Sequence, residues 1–185
     1  AWSKAVFMDR KKKNIIELTR VGVDECRTGS HLPLRVMLDS VRSLNNVGSV
    51  LRTSDAFMVD QVIMCGITGT PPNPEIHKTA LGAEDSVNWR HCPDTLAALR
   101  ELQAGGWTVC VLEQTHNSVP LDEFVPVVGQ KYVIVAGNEV HGVDQAVVDA
   151  ADVVIEIPQC GAKHSLNVAV STGIALWHFF SVLKP

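Results

Sequence analysis

Several familiar signatures are missing from these 185 residues, and each absence removes a class of function. The five cysteines, Cys26, Cys65, Cys92, Cys110 and Cys160, are odd in number and form no C-x-x-C pair. That argues against a zinc ribbon or a secreted disulfide framework and points to a reducing, cytoplasmic setting. No basic-then-apolar leader opens the chain, so a soluble protein is expected. The longest apolar-looking stretch, Leu166 to Leu183, is broken by Asn167, Ser171, Thr172, Gly173, His178 and Ser181. It suits a buried helix better than a membrane span. There is no G-x-G-x-x-G after the first apolar strand and no G-x-x-x-x-G-K-[ST] anywhere, which disfavours an ordinary NAD-binding Rossmann domain and a P-loop NTPase. Internal repeats and low-complexity tracts are also lacking.

What is present is ordinary globular material, 46% apolar and 19% charged. A chain of this length buries roughly 70% of its unfolded surface and needs no disulfide or metal to fold. Charge is uneven. Residues 1–20 hold Lys4, Arg10, Lys11, Lys12, Lys13 and Arg20 against Asp9 and Glu17, a net of +4, so the other 165 carry −8 to reach the total of −4. The overall balance excludes a protein that coats nucleic acid by bulk charge. The basic run is either a solvated face or an arm whose Lys11, Lys12 and Lys13 contact phosphates.

Residues 1–33 read as a short basic extension with a possible helix around Ile15 to Leu18. Residues 34–185 read as one domain. Short β-rich runs at Arg35–Leu38, Gln61–Cys65, Trp107–Leu112, Lys131–Val135 and Val153–Ile157 alternate with helical spacing over Val47–Phe57, Ile76–Ala83, Asp94–Leu102, Val143–Ala151 and Ser165–Leu183. Strands that alternate with helices predict an α/β fold, a mostly parallel sheet flanked by helices on both faces.

Ligands of such sheets bind beyond the carboxyl ends of the strands, and three junctions there are rich in Gly and Asn. The first, Asn46-Val47-Gly48-Ser49-Val50-Leu51-Arg52, offers a candidate helix cap in Asn46 and a cation in Arg52. The second, Gly137-Asn138-Glu139-Val140-His141-Gly142, places one carboxylate between two glycines. Glu139 there either caps the following helix or serves the site. The third, Ile157-Pro158-Gln159-Cys160-Gly161-Ala162-Lys163-His164-Ser165-Leu166-Asn167-Val168, offers Ser165 as a helix cap and Asn167 as an amide that needs a partner.

In order and spacing, these segments resemble the three signature motifs of the SpoU (TrmH-like) branch of the SPOUT RNA methyltransferases. They match N-x-G-x-x-x-R, G-x-E-x-x-G and I-P-x-x-G-x-x-x-S-L-N-V, and His77–Glu84 is similar to a stretch of bacterial members. The resemblance spans about residues 35–183. It implies transfer of a methyl group from S-adenosylmethionine to a ribose 2′-hydroxyl of RNA without a metal. It also implies an α/β fold with a C-terminal trefoil knot, and a homodimer that completes each site across its interface. By the same resemblance, Gly137, Gly142, Ile157, Gly161 and Leu166 hold the donor, with Leu112 and Gln114 nearby. Arg52, Asn46, Glu139, Ser165 and Asn167 are the implied catalytic set. His141 and His164 lie beside motif positions without matching one.

An arginine stays protonated in proteins, so Arg52 fits a phosphate-orienting and charge-stabilising role better than that of a base. Ala169-Val170-Ser171 stands where many members have Ser-Val-Ala, and Gly173 with Ala169 is a candidate dimer seam. Because 33 residues cannot form a separate RNA-recognition domain, tRNA is favoured over rRNA as substrate. The alternative is a catalytically silent RNA-binding or scaffold relative.

Overall fold

The computed structural model describes residues 11–18 and 20–185, so Lys4, Asp9 and Arg10 of the basic run lie outside the described residues. Lys11, Lys12 and Lys13 are exposed and precede a 3₁₀ turn at Ile16–Leu18. A short helix, α1 (Val23–Thr28), then tucks Cys26 into the core.

Seven strands form one sheet, and every pairing in it is parallel. They are β1 (Leu32–Asp39), β2 (Val59–Cys65), β3 (Trp89–Cys92), β4 (Trp107–Leu112), β5 (Val119–Pro120), β6 (Lys131–Ala136) and β7 (Val153–Glu156). Their order is β3-β2-β1-β6-β4-β7-β5. The remaining helices are α2 (Leu44–Ala56), α3 (Pro74–Ala80), α4 (Ala83–Ser86), α5 (Thr95–Ala104), α6 (Gln145–Ala150) and α7 (Val168–Leu183).

Side-chain alternation divides the core. Leu34, Val36 and Leu38 of β1 with Tyr132 and Ile134 of β6 pack under α2, α3 and α7. Met37, Val133, Val135, Val109 and Val111 face α5 and α6 on the other side. Both faces are covered, which is why the central strands are apolar almost throughout. Leu176 and Phe179 of α7 are fully buried, and burial of each contributes about 1.5–3 kcal/mol.

The expected elements are present, with instructive differences. The helix expected over Ile76–Ala83 is two, because Leu81 adopts a left-handed conformation (φ 53°) that closes α3. β3 and β5 had no counterpart in the sequence reading. β3 is a four-residue edge strand of mixed polarity, and β5 has only two residues.

Helix α2 packs closely on α3 at Gly48. A Cβ there would overlap Thr79 Oγ1 and the Ile76 carbonyl, and Thr79 Oγ1 donates to the Asn45 carbonyl at 2.9 Å. Overpacking of this kind costs about 1–3 kcal/mol. Gly48→Ala should therefore lower Tm by about 2–12 °C, at the few degrees per kcal/mol expected of a chain this long. Thermal unfolding checks it, and an unchanged Tm would mean that α3 can slide away freely.

Candidate active site

The loops that leave β1, β4, β6 and β7 gather at one end of the sheet, where the chain direction across it reverses. Motif residues from the first turn of α2 and from the loops after β6 and β7 form a continuous hydrogen-bonded chain. Glu139, in the loop after β6, accepts the backbone N–H groups of Arg42 and Ser43, each at 2.9 Å, and Asn46 Nδ2 at 3.0 Å. Asn46 Oδ1 accepts Asn167 Nδ2 at 3.1 Å. Asn167 Oδ1 then accepts the N–H groups of Ala169 and Val170. Each link determines the orientation of the next amide, so both asparagines have only one hydrogen-bonding orientation open to them.

Three expectations about caps change. Asn46 is not the N-cap of α2; Ser43 is, and its side chain accepts from the N–H of Asn46. Glu139 does not cap the helix that follows it, since Asp144 does so through the Ala146 N–H. Glu139 instead serves the start of α2, distant in sequence. Ser165 is not the N-cap of α7 either. That helix begins at Val168, and Asn167 is its cap. Ser165 is left exposed on the loop.

Burial pushes the Glu139 carboxyl up, but the Arg42 and Ser43 N–H groups and the Asn46 amide outweigh it and hold the group below its ordinary value. A lowered folded-state pKa contributes stability at pH values above the unfolded pKa, and that contribution is lost as pH falls through the folded one. Glu139→Gln should thus lose stability near pH 7, by less than about 1 kcal/mol because solvent screens this exposed carboxylate. The gap to the wild type should close as pH falls below about 4.5. Denaturant titrations between pH 3 and 7 measure it, and a gap independent of pH would contradict it.

A cavity of about 640 Å³ opens beside this chain of bonds. Leu112, Gln114, Glu139, Gly137, Gly142, Ile157, Ser165, Leu166 and Asn167 all line it. Gln114 Nε2 donates to the His164 carbonyl at 2.8 Å and ties the end of β4 to the third motif loop. His141 and His164 also line the cavity. Gly161, Asn46, Arg52 and the three lysines, Lys11, Lys12 and Lys13, are not among its walls.

Arg52 is exposed on α2 and makes no ion pair among the described residues. Six residues beyond Asn46, at about 100° per residue, it leaves the helix roughly 120° away from it. A Cβ at Gly173 would meet Thr53 Cγ2 of α2 only at an ordinary van der Waals distance of 3.8 Å, so this contact within the chain does not require glycine. Two residues that sequence reasoning passed over also act here. Asp39, at the end of β1, is 5% exposed and accepts Thr95 Oγ1 and the Asp144 N–H. Glu113, just past β4, reaches the Val143 N–H. A carboxylate that ends an apolar strand was the one available signal for Asp39.

A larger hollow of about 980 Å³ lies near the amino ends of β2 and β3, away from the motif loops. Two pairs lie in its walls, Arg35 with Asp60 at 2.6 Å and His77 with Glu84 at 2.5 Å. Among the described residues no group of His, Cys, Asp and Glu could hold a metal ion. No described helix is long and apolar enough to cross a membrane.

Comparison with known proteins agrees with this geometry. A 23S rRNA (guanosine-2′-O-)-methyltransferase of Nitrosomonas europaea is 33% identical over 151 residues, 80% of this chain and 55% of that protein. The chain spans less than two thirds of the length of the curated relatives it matches. Among solved structures, the TrmH/SpoU tRNA modifying enzyme of A. aeolicus superposes with a TM-score of 0.76 at 27% identity, covering 86% of this chain and 79% of that one. An AdoMet-bound rRNA methyltransferase of Sinorhizobium meliloti gives 0.77 at 27% identity, covering 86% and 61%. With residues 33–177 matching its model, the chain belongs to the SpoU rRNA Methylase family.

Proposed function

We propose that this protein is an S-adenosylmethionine-dependent methyltransferase acting on a ribose 2′-hydroxyl of RNA. The observation that carries the reading is the Glu139–Asn46–Asn167 chain, which joins all three motifs at the rim of one cavity. The walls suit the donor. Leu112, Ile157 and Leu166, the last still 38% exposed, offer apolar surface to an adenine. The loops at Gly137 and Gly142 bring peptide groups to the same space, with polar side chains from Glu113 and Gln114. The trefoil knot that the resemblance implies belongs to this reading.

The donor supplies an activated methyl group for direct displacement. The chain has to present the ribose oxygen in line with it and to stabilise the charge that develops there. Ser165 and Asn167 stand at the cavity mouth to hold the ribose. Arg52 holds the adjoining phosphate and stabilises developing negative charge, while the proton leaves to that phosphate or to water. Arg52 is exposed and lines no part of its own chain's cavity, which supports a homodimer in which each copy lends its arginine to the other. Val170, Ile174 and Trp177, at helical spacing on α7, are 51%, 40% and 56% exposed and form an apolar stripe for that contact. Trp177→Glu should convert the dimer to a monomer in sedimentation velocity, and an unchanged sedimentation coefficient would count against this surface.

The reading includes the cytoplasm as the place of action, and Lys11, Lys12 and Lys13 as phosphate contacts. The sequence favours tRNA, whereas curated relatives carry rRNA names. The test is mass spectrometry of nucleosides after incubation with labelled S-adenosylmethionine and unmodified tRNA or rRNA. A labelled 2′-O-methylnucleoside in either class supports the reading, and a labelled base overturns the ribose assignment. Absence of any label, with no donor binding, would favour the silent scaffold.

A further inference from the structure

We propose that Glu113 is a positioning residue of the donor pocket, acting through the backbone of the second motif. This rests on the reading that the cavity beside it takes the methyl donor. Glu113 follows the last residue of β4 and lies half-buried in the cavity wall. Its Oε2 accepts the Val143 N–H at 3.1 Å, and its Oε1 accepts the N–H of its neighbour Gln114 at 3.0 Å. The carboxylate therefore bridges two loops with one oxygen committed to each.

The far end of that bridge is a tight loop. Asn138 and Gly142 exchange both backbone hydrogen bonds at 2.9 Å, closing residues 138–142 into a small hairpin. Gly142 sits at φ 70°, and a Cβ there would overlap Glu113 Oε2. The backbone favours glycine at this position, and the tip of the Glu113 side chain packs against it. Held at Gly142 and Val143, the hairpin presents Glu139 to the start of α2. Asp39 secures the next residue, Asp144, from the β1 side. Without Glu113 the Val143 N–H loses its acceptor, and the hairpin is tied down only from that side.

A hydrogen bond to a carboxylate that organises a loop translates into about 10- to 100-fold in ligand affinity when it is lost. Titration calorimetry with S-adenosylhomocysteine and hydrogen exchange at the Val143 amide test this on the full chain. Glu113→Ala should bind about 10- to 100-fold more weakly and exchange faster at Val143, a larger loss in donor affinity than in RNA affinity. Glu113→Gln keeps an oxygen at the same reach and should recover part of the affinity. Glu113→Asp, one methylene shorter, should not.

Affinity of Glu113→Ala within threefold of the wild type would overturn the proposal. A glutamine variant no better than the aspartate would overturn it too, because charge rather than acceptance would then be at work. If the alanine variant does not fold, the glutamine and aspartate pair decides by the same two measurements. If the wild type itself binds no S-adenosylhomocysteine, the donor reading fails, while exchange at Val143 still reports whether Glu113 holds the loop.

Discussion

Arg52→Ala is expected to lower the rate of methyl transfer by about 10³-fold, the upper range for loss of one group that stabilises transition-state charge. Donor affinity and thermal stability should barely change. Arg52 is exposed, lines no part of its own chain's cavity and makes no ion pair among the described residues. Surface changes of that kind stay within about 0.5 kcal/mol of stability. Arg52→Lys keeps the charge but loses the planar fork that matches a phosphate, so it should restore only part of the rate. Single-turnover rates at saturating donor and RNA, with a calorimetric donor affinity beside them, separate the terms. A rate loss below tenfold would remove Arg52 from the chemistry, and a parallel loss of donor affinity would move it into the donor pocket. Mixing Arg52→Ala with a second variant defective in the donor cavity adds a sharper test. If each copy lends its arginine to its partner, the mixture should regain activity that neither variant shows alone.

How much of this was legible before the structure varied with the range of the interactions. β4 is bounded as read, Trp107–Leu112, because Gly105 and Gly106 end the preceding helix and the apolar run starts directly after them. α7 was read three residues too long at its start, since Ser165 and Asn167 are both good caps and spacing alone does not choose between them. The structure chooses Asn167, whose Nδ2 is also drawn to Asn46. The motif residues themselves stood out by type and spacing, but their employment did not. Glu139 accepts the backbone N–H groups of Arg42 and Ser43, just before α2 and 97 and 96 residues away, a relation that no local pattern encodes. Glu113 was equally hidden, because a glutamate after a strand is unremarkable until its acceptor role toward Val143 is seen. The alternation of strands and helices was readable from local periodicity, apart from the short edge strands β3 and β5. The site depends on contacts between loops distant in sequence, and only the assembled sheet brings these together.

Gly137→Ala should have the largest effect of any single methyl group added at the site, through sterics alone. Gly137 has no left-handed backbone, so alanine is compatible with its own conformation. The obstacle is what crosses over it: a Cβ would overlap the Gly142 carbonyl carbon and oxygen and the Val143 nitrogen. These are backbone atoms, which cannot swing aside as a side-chain tip does. They also belong to the segment held by the Asn138–Gly142 exchange and by the Glu113 and Asp39 carboxylates. To make room, that segment must lift, and with it go the Val143 bond and the grip of Glu139 on the start of α2. Overpacking against rigid backbone costs about 3 kcal/mol, the upper end for core insertions, or roughly 6–12 °C in Tm for a chain of this length. Donor affinity should fall further than stability alone explains, because the lifted segment is itself a wall of the cavity. Thermal unfolding and calorimetry with S-adenosylhomocysteine, run well below the lowered Tm, measure the two effects separately. A variant that loses stability but keeps donor affinity would show that the second motif supports the fold without shaping the pocket. One that loses affinity at unchanged Tm would place Gly137 against the donor itself.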